Sequence, residues 1–135
     1  AENLYFMVKT DENITPHTDK AWMRLFIDVA GAEDGKSWET FEYILNRESP
    51  TADKATLERS TGGWNWEKTA EVSYSVNGDT MVVTIPRAAL GLEDGGDFYF
   101  KVADGVADPA EIMDYYVTGR SFPMGRLSYL YQMDK

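Results

Sequence analysis

Apolar and polar residues alternate with a period of two along most of the chain, which is the pattern of half-buried β-strands. Residues 22–28 differ, because they are apolar at almost every position except Arg24, as expected of a central strand covered on both faces. No long stretch carries a helical repeat. The alternating runs are residues 4–8, 41–45, 55–59, 72–76, 81–85, 98–102, 113–118 and 126–131. The pattern predicts an all-β fold, an antiparallel β-sandwich of about eight or nine strands.

The clearest local signal is a β-hairpin centred on Asn77-Gly78-Asp79. Asn and Gly adopt positive φ angles at low cost, and tight hairpin turns need such angles. The side chains expected on the core face are Val72, Tyr74, Val76, Met81, Val83 and Ile85, with Glu71, Ser73, Ser75 and Thr84 pointing outward. After this hairpin, residues 87–92 predict a single helical turn that a glycine closes.

Length and charge limit the possible functions. The chain has 135 residues, which fits a single domain over residues 1–135. Its net charge of -10 repels phosphate groups, so we expect neither nucleic acid nor an anionic membrane as a partner. It contains no cysteine and one histidine, His17, in a polar loop beside a proline. Thiolate chemistry is therefore excluded, and a histidine-based catalytic relay is not expected.

A cluster of acidic residues between two predicted strands suggests a divalent cation. Asp28 ends one strand, Asp34 lies in the following loop, and Glu42 lies in the next strand. Calcium binds six to eight oxygens, which such a strand–loop–strand unit can supply. Alanines at 30 and 32 replace the ligands of an EF-hand pattern. Asp28, Asp34 and Glu42 are therefore the candidate ligands of a structural calcium, and a solvated acidic loop is the alternative.

Aromatic residues form a second group with possible chemistry. Sugar rings have an apolar C–H face that packs on indole and phenol rings. Trp64 and Trp66 are two residues apart, so in an extended chain both rings point to the same side. Trp38, Trp64, Trp66 and Tyr43 are the candidate sugar-binding residues, and burial in the core is the alternative for each. For Trp22, flanked by apolar residues, the core is the favoured interpretation.

The chain as a whole resembles the family-nine-like carbohydrate-binding modules, which are related to the dopamine-monooxygenase-N-terminal type of β-sandwich. The resemblance is carried by the segments 25–28, 41–47, 57–59, 63–66, 85–91, 98–104 and 125–129, with Trp38 between the first two. It implies a jelly-roll-like sandwich appended to secreted bacterial enzymes that act on polysaccharides. It also implies sugar binding between Trp rings and, in some members, a structural calcium. The chain departs from the pattern of this family at two points: an alanine stands at position 30, where an acid is expected, and an expected leading strand ahead of Asn3 is not seen.

These observations predict a non-catalytic carbohydrate-binding module of an extracellular bacterial protein, formed by the C-terminal part of a longer secreted chain. The expected partner is a polysaccharide or oligosaccharide. The alternative is an accessory sandwich that packs on a neighbouring domain and binds no sugar. Glycoside hydrolysis needs only a pair of carboxylates, but among 23 acidic residues some pair lies close together by chance. Acidic pairs are therefore no evidence for a glycosidase, and this function is not favoured.

Overall fold

The computed structural model describes residues 2–29, 36–123 and 128–133. Two short 3₁₀ helices span Arg87–Leu90 and Ile112–Tyr116. The strands are β1 (Asn3–Lys9), β2 (Arg24–Val29), β3 (Tyr43–Leu45), β4 (Lys54–Gly62), β5 (Asn65–Asn77), β6 (Thr80–Pro86), β7 (Gly96–Asp104), β8 (Arg120–Phe122) and β9 (Tyr129–Met133).

All nine strands belong to one antiparallel sheet. The hydrogen-bonded order is β1-β6-β5-β4-β3-β2-β7-β8, and β9 pairs with the other half of β7. The sheet curls until its ends face each other, so that Phe6 of β1 lies 5.7 Å from Phe98 and 5.6 Å from Phe100 of β7, measured between ring centroids. The core fills the space enclosed by this curl. The predicted all-β, sandwich-like architecture is confirmed.

Apolar residues cover both faces of β2, as its sequence predicts. Leu25 and Ile27 point into the main core, which also contains Trp22. Phe26 points to the opposite, outer face of the sheet, where a second apolar cluster covers it completely. The core interpretation of Trp22 is confirmed. The outer cluster on β2 contains the three predicted tryptophans, Trp38, Trp64 and Trp66.

The predicted hairpin is the β5–β6 connection. Gly78 and Asp79 form a two-residue turn, with φ of +62° at Gly78 and no positive φ at Asp79, the combination used by type II′ turns. Five of the six predicted core-face side chains are buried. Val76 is the exception, with 39% exposure, because it lies next to the turn, where the hairpin extends beyond the core. The predicted helical turn is also present and is closed by Gly91 at φ +70°.

The strand predicted at residues 113–118 is wrong, because residues 112–116 form a 3₁₀ helix. Acidic side chains favour the turn by hydrogen bonding to the backbone. The Glu111 carboxylate accepts from the Met113 N–H at 3.1 Å, and the Asp114 carboxylate accepts from the Asp108 N–H at 2.8 Å. Of the alternating apolar residues, Met113 and Val117 are exposed, so burial did not cause the alternation.

Candidate functional site

Six aromatic side chains pack together on the outer face of the sheet, and we call them the aromatic cluster: Phe26, Trp38, Phe41, Trp64, Trp66 and Tyr115. Phe26 is at the centre, with its ring centroid 5.3 Å from that of Trp38 and 5.9 Å from that of Tyr115. The ring centroids of Trp38 and Trp64 are 4.8 Å apart. The structure therefore brings the three predicted tryptophans into one contiguous group.

Trp38 forms the base of the cluster. Only 5% of its surface is exposed, and its indole Nε1 donates to the backbone carbonyl of Ala110 at 3.2 Å. Its ring stacks on Phe41 with an interplanar angle of 28°. Because protein atoms cover nearly all of this ring, Trp38 positions its neighbours and offers little surface to a ligand.

Trp64 and Trp66 occupy the outer edge of the cluster, and both are half-buried. Their rings stand at 89° to each other with centroids 5.4 Å apart, an arrangement that we call the Trp64/Trp66 corner. The buried Nε1 of Trp66 has no hydrogen-bond partner among the described residues, so packing, not a hydrogen bond, holds this ring. The corner keeps part of two indole surfaces open to solvent.

The backbone that carries the corner is itself held in place. Gly62 and Gly63 have φ angles of +138° and +55°, which residues other than glycine rarely adopt. The Ser60 hydroxyl donates to the Gly63 carbonyl at 2.8 Å, and the Asn65 amide donates to the Gly62 carbonyl at 2.9 Å. These bonds fix the β4–β5 connection, and with it the direction in which the two indoles point.

Tyr43 does not join this group. It lies on β3 with its side chain toward the main core, on the opposite face of the sheet from Trp64 and Trp66. The guanidinium of Arg59 lies 5.6 Å from its ring centroid, a cation–π distance. The structure therefore places this candidate apart from the three tryptophans.

A pocket of about 380 Å³ borders the same aromatic cluster. Phe41 and Ile112 form its apolar part, and Glu39 and Thr40 form its polar rim. Its volume falls in the ordinary range for small-molecule sites, about 300–1,000 Å³. The sequence pattern did not predict this pocket, because the pocket depends on Ile112 in the unpredicted 3₁₀ helix.

The rim of the pocket has a strained backbone. Trp38 and Phe41 exchange two backbone hydrogen bonds of 2.9 and 2.8 Å, which close a two-residue turn. The residues inside the turn, Glu39 and Thr40, have φ angles of +48° and +77°. A β-branched residue such as threonine rarely adopts positive φ, and strain of this kind is found preferentially at ligand-binding sites.

Two of the three predicted metal ligands lie beside this turn. The Asp28 carboxyl is within hydrogen-bond reach of the Thr40 hydroxyl and the Glu42 carboxyl. Burial raises the pKa of Asp28, and these two hydrogen bonds partly oppose that rise. Glu42 is buried, and its Oε1 accepts from the Val29 N–H at 2.6 Å.

The third predicted ligand, Asp34, lies outside the described residues. Within residues 2–29, 36–123 and 128–133, no group of three or more acidic, histidine or cysteine side chains is placed to hold a metal ion. The Asp28–Glu42 pair is thus the part of the predicted calcium site that the structure brings together.

A buried lysine lies on the same outer face. Lys101 on β7 pairs with Phe26 on β2, has no exposed surface, and donates from Nζ to the Pro123 carbonyl. Burial lowers its pKa to about 8. The face therefore has a positive charge on one side of Phe26 and the acidic pair near the other end of β2.

Comparisons of this chain with protein-family models, with curated proteins and with solved structures gave no match. In the described part of the chain, no helix has the length and apolar character needed to cross a bilayer.

Proposed function

We propose that this protein is a non-catalytic module that binds a neutral carbohydrate on its outer face, at the Trp64/Trp66 corner and the adjoining pocket. The observation that carries this proposal is the pair of partly exposed indoles of Trp64 and Trp66, whose ring planes meet at 89° with centroids 5.4 Å apart, held by the buried rings beneath them. Because the rings are ordered before binding, a ligand loses little affinity to ordering them.

The chemistry of the surface suits a neutral sugar. The indoles offer apolar faces for the C–H side of a sugar ring, while Glu39 and Thr40 at the pocket rim offer oxygens to its hydroxyl groups. A net charge of -10 disfavours acidic glycans, which would approach against repulsion. The expected ligand is therefore an uncharged oligosaccharide or polysaccharide.

Removing one indole should weaken glycan binding and leave the fold intact. We expect Trp64→Ala and Trp66→Ala each to lower affinity by about 1–3 kcal/mol, the range for losing an aromatic anchor. A panel of neutral oligosaccharides, screened by glycan array and then by titration calorimetry, measures this change. Tyr5→Ala is the matched control, because Tyr5 is an exposed aromatic residue on β1 and should not affect affinity.

Urea unfolding of the same variants distinguishes a binding role from a structural one. If either variant loses a large part of its stability, that indole belongs to the core and the proposal fails for it. If the unmodified protein binds no neutral glycan in the panel, the proposal fails as a whole.

Calcium forms a second part of the proposal. Asp28, Glu42 and the Thr40 hydroxyl supply the hard oxygen atoms that calcium prefers. Burial raises the pKa of Asp28, so a nearby positive charge would favour its ionised form. A bound cation would provide that charge and tie β2 to the strained turn.

Calcium should therefore stabilise the folded state. At a concentration 100 times its Kd, the expected gain is about 2.7 kcal/mol, so a chelator should lower Tm relative to millimolar calcium. Glu42→Gln keeps an oxygen acceptor for the Val29 N–H but removes the charge, and it should abolish the difference. Equal melting temperatures of the unmodified protein in chelator and in calcium would contradict the site.

The alternative of an accessory sandwich that packs on a partner draws support from a different surface. Tyr5 and Met7 on β1 are 67% and 71% exposed, which is high for large apolar side chains on a regular strand. This surface lies at the edge of the sheet, away from the aromatic cluster.

A further inference from the structure

The strands β1 and β9 each have one side with no partner strand among the described residues. β1 pairs only with β6, and β9 pairs only with β7. The backbone N–H and C=O groups along such a side form a template on which another strand can pair. These two sides border one groove of the molecule.

The groove has a volume of about 290 Å³. Its lining consists of five consecutive residues of β1, Asn3 to Met7, together with Phe98, Phe100 and Tyr131. Consecutive strand residues point to alternate faces, so a groove lined by all five follows the backbone edge of β1 and not one of its faces.

The interior of the groove is an incomplete part of the core. Tyr131 stacks on Phe98 with centroids 5.1 Å apart, and Tyr129 packs on Phe100 at 5.4 Å. Both tyrosines therefore point to the side of the sheet that carries the main core. Even so, each is 48% exposed.

The edge of β1 also lacks the usual protection against pairing. It pairs with β6 over seven successive residues without a bulge, and it contains no proline and one charged residue, Lys9. Exposed edges in proteins are ordinarily interrupted by such features. The edge of β1 is instead regular, long and mostly apolar.

We propose that the groove binds an extended strand of another polypeptide, which pairs with the free edge of β1 and inserts alternate apolar side chains over Phe98, Phe100 and Tyr131. Such a ligand pairs its backbone with the edge and is selected by its alternate side chains. Because this chain carries a net charge of -10, the strand has basic or neutral residues at its outward positions.

A second copy of this chain fits the groove less well. If two β1 strands paired with each other, Phe6 of each copy would remain buried in its own core, against its own Phe98 and Phe100. The tyrosine side of both grooves would stay uncovered. Two copies would also bring together two net charges of -10.

A displayed library of random twelve-residue peptides tests the proposal with the full chain. We expect the enriched peptides to have apolar residues at alternate positions and basic or neutral residues between them. The peptide that binds most strongly should slow amide hydrogen exchange in residues 3–9. Tyr131→Ala should lower the affinity for that peptide at least tenfold. Tyr116 has the same 48% exposure but lies outside the groove, so Tyr116→Ala should leave the affinity unchanged. Replacing alternate peptide residues by proline, which removes N–H donors, should abolish binding.

Three results would overturn the proposal. The first is that alternating peptides are enriched no more on the unmodified protein than in a parallel selection on the Tyr131→Ala variant. The second is protection of residues 3–9 that rises with protein concentration in the absence of peptide, which would make a second copy the occupant. The third is protection of the same amides by a neutral oligosaccharide, with loss of sugar binding in Tyr131→Ala. Since the groove shares no residue with the Trp64/Trp66 corner, the first two results would leave the proposed function intact, whereas the third would move the sugar site from the corner to the groove.

Discussion

Truncation of Phe26 to alanine should lower the free energy of unfolding by about 3–5 kcal/mol, the usual cost of emptying a core aromatic position. Phe26 has no exposed surface, and its ring contacts those of Trp38, Phe41, Trp64 and Tyr115. The surrounding rings are carried by three separate segments, the Trp38–Phe41 turn, the β4–β5 connection and the second 3₁₀ helix, so they do not readily collapse into the space together. Urea unfolding followed by tryptophan fluorescence measures the loss.

The same variant tests whether the buried rings prepare the sugar site. With Phe26 removed, Trp64 loses a neighbour whose ring centroid is 6.3 Å away, and the corner should become mobile. We expect glycan affinity to fall although Phe26 touches no ligand. Tyr116→Ala is the control for stability, since an exposed side chain should change it by no more than about 0.5 kcal/mol. A Phe26→Ala variant as stable as this control would contradict the packing described above.

The sequence pattern was sufficient to predict most of the sheet. Alternation identified the β5–β6 hairpin, and the nearly continuous apolar run of residues 22–28 identified the two-sided burial of β2, because burial on one face or both directly determines where apolar residues occur. The spacing of Trp64 and Trp66 predicted that their rings point to the same side, and in the structure both rings pack against the same outer cluster.

The pattern failed where the backbone departs from strand geometry. The run from Phe41 to Leu45 has the spacing of a single strand, yet Phe41 belongs to the tight turn before β3 and lies in the aromatic cluster, whereas Tyr43 faces the main core. That turn has no Gly or Asn at its positive φ positions, so composition alone could not reveal it. The separation of Tyr43 from the tryptophans follows from this one turn.

Stability should rise with pH as Lys101 loses its proton. The unfolded chain holds a proton on this amine up to about pH 10.5, whereas burial lowers its pKa to about 8 in the folded protein. Between these values the unfolded state binds more protons, so the free energy of unfolding increases with pH. The rise from pH 7.5 to 9.5 should be about 2 kcal/mol, since each unit of pKa shift corresponds to 1.36 kcal/mol.

Buried tyrosines limit the range over which this effect can be measured. Burial raises the pKa of Tyr74 and Tyr115, so the unfolded chain ionises first near pH 10 and stability falls again above that value. Urea unfolding between pH 7.5 and 9.5 avoids this opposing trend. Lys101→Met, which keeps a flexible side chain of similar length, should remove the rise.

The matched variant Lys54→Met removes an exposed lysine, and its free energy of unfolding should still rise between pH 7.5 and 9.5. Lys101→Met should also be more stable than the unmodified protein at pH 7.5, because it removes a charge that is costly to bury. The Pro123 carbonyl loses its donor in that variant, which costs roughly 1 kcal/mol and makes the net gain smaller than the pH effect. A rise that persists in Lys101→Met would assign the titration to another group and would show that Lys101 is solvated in the folded state.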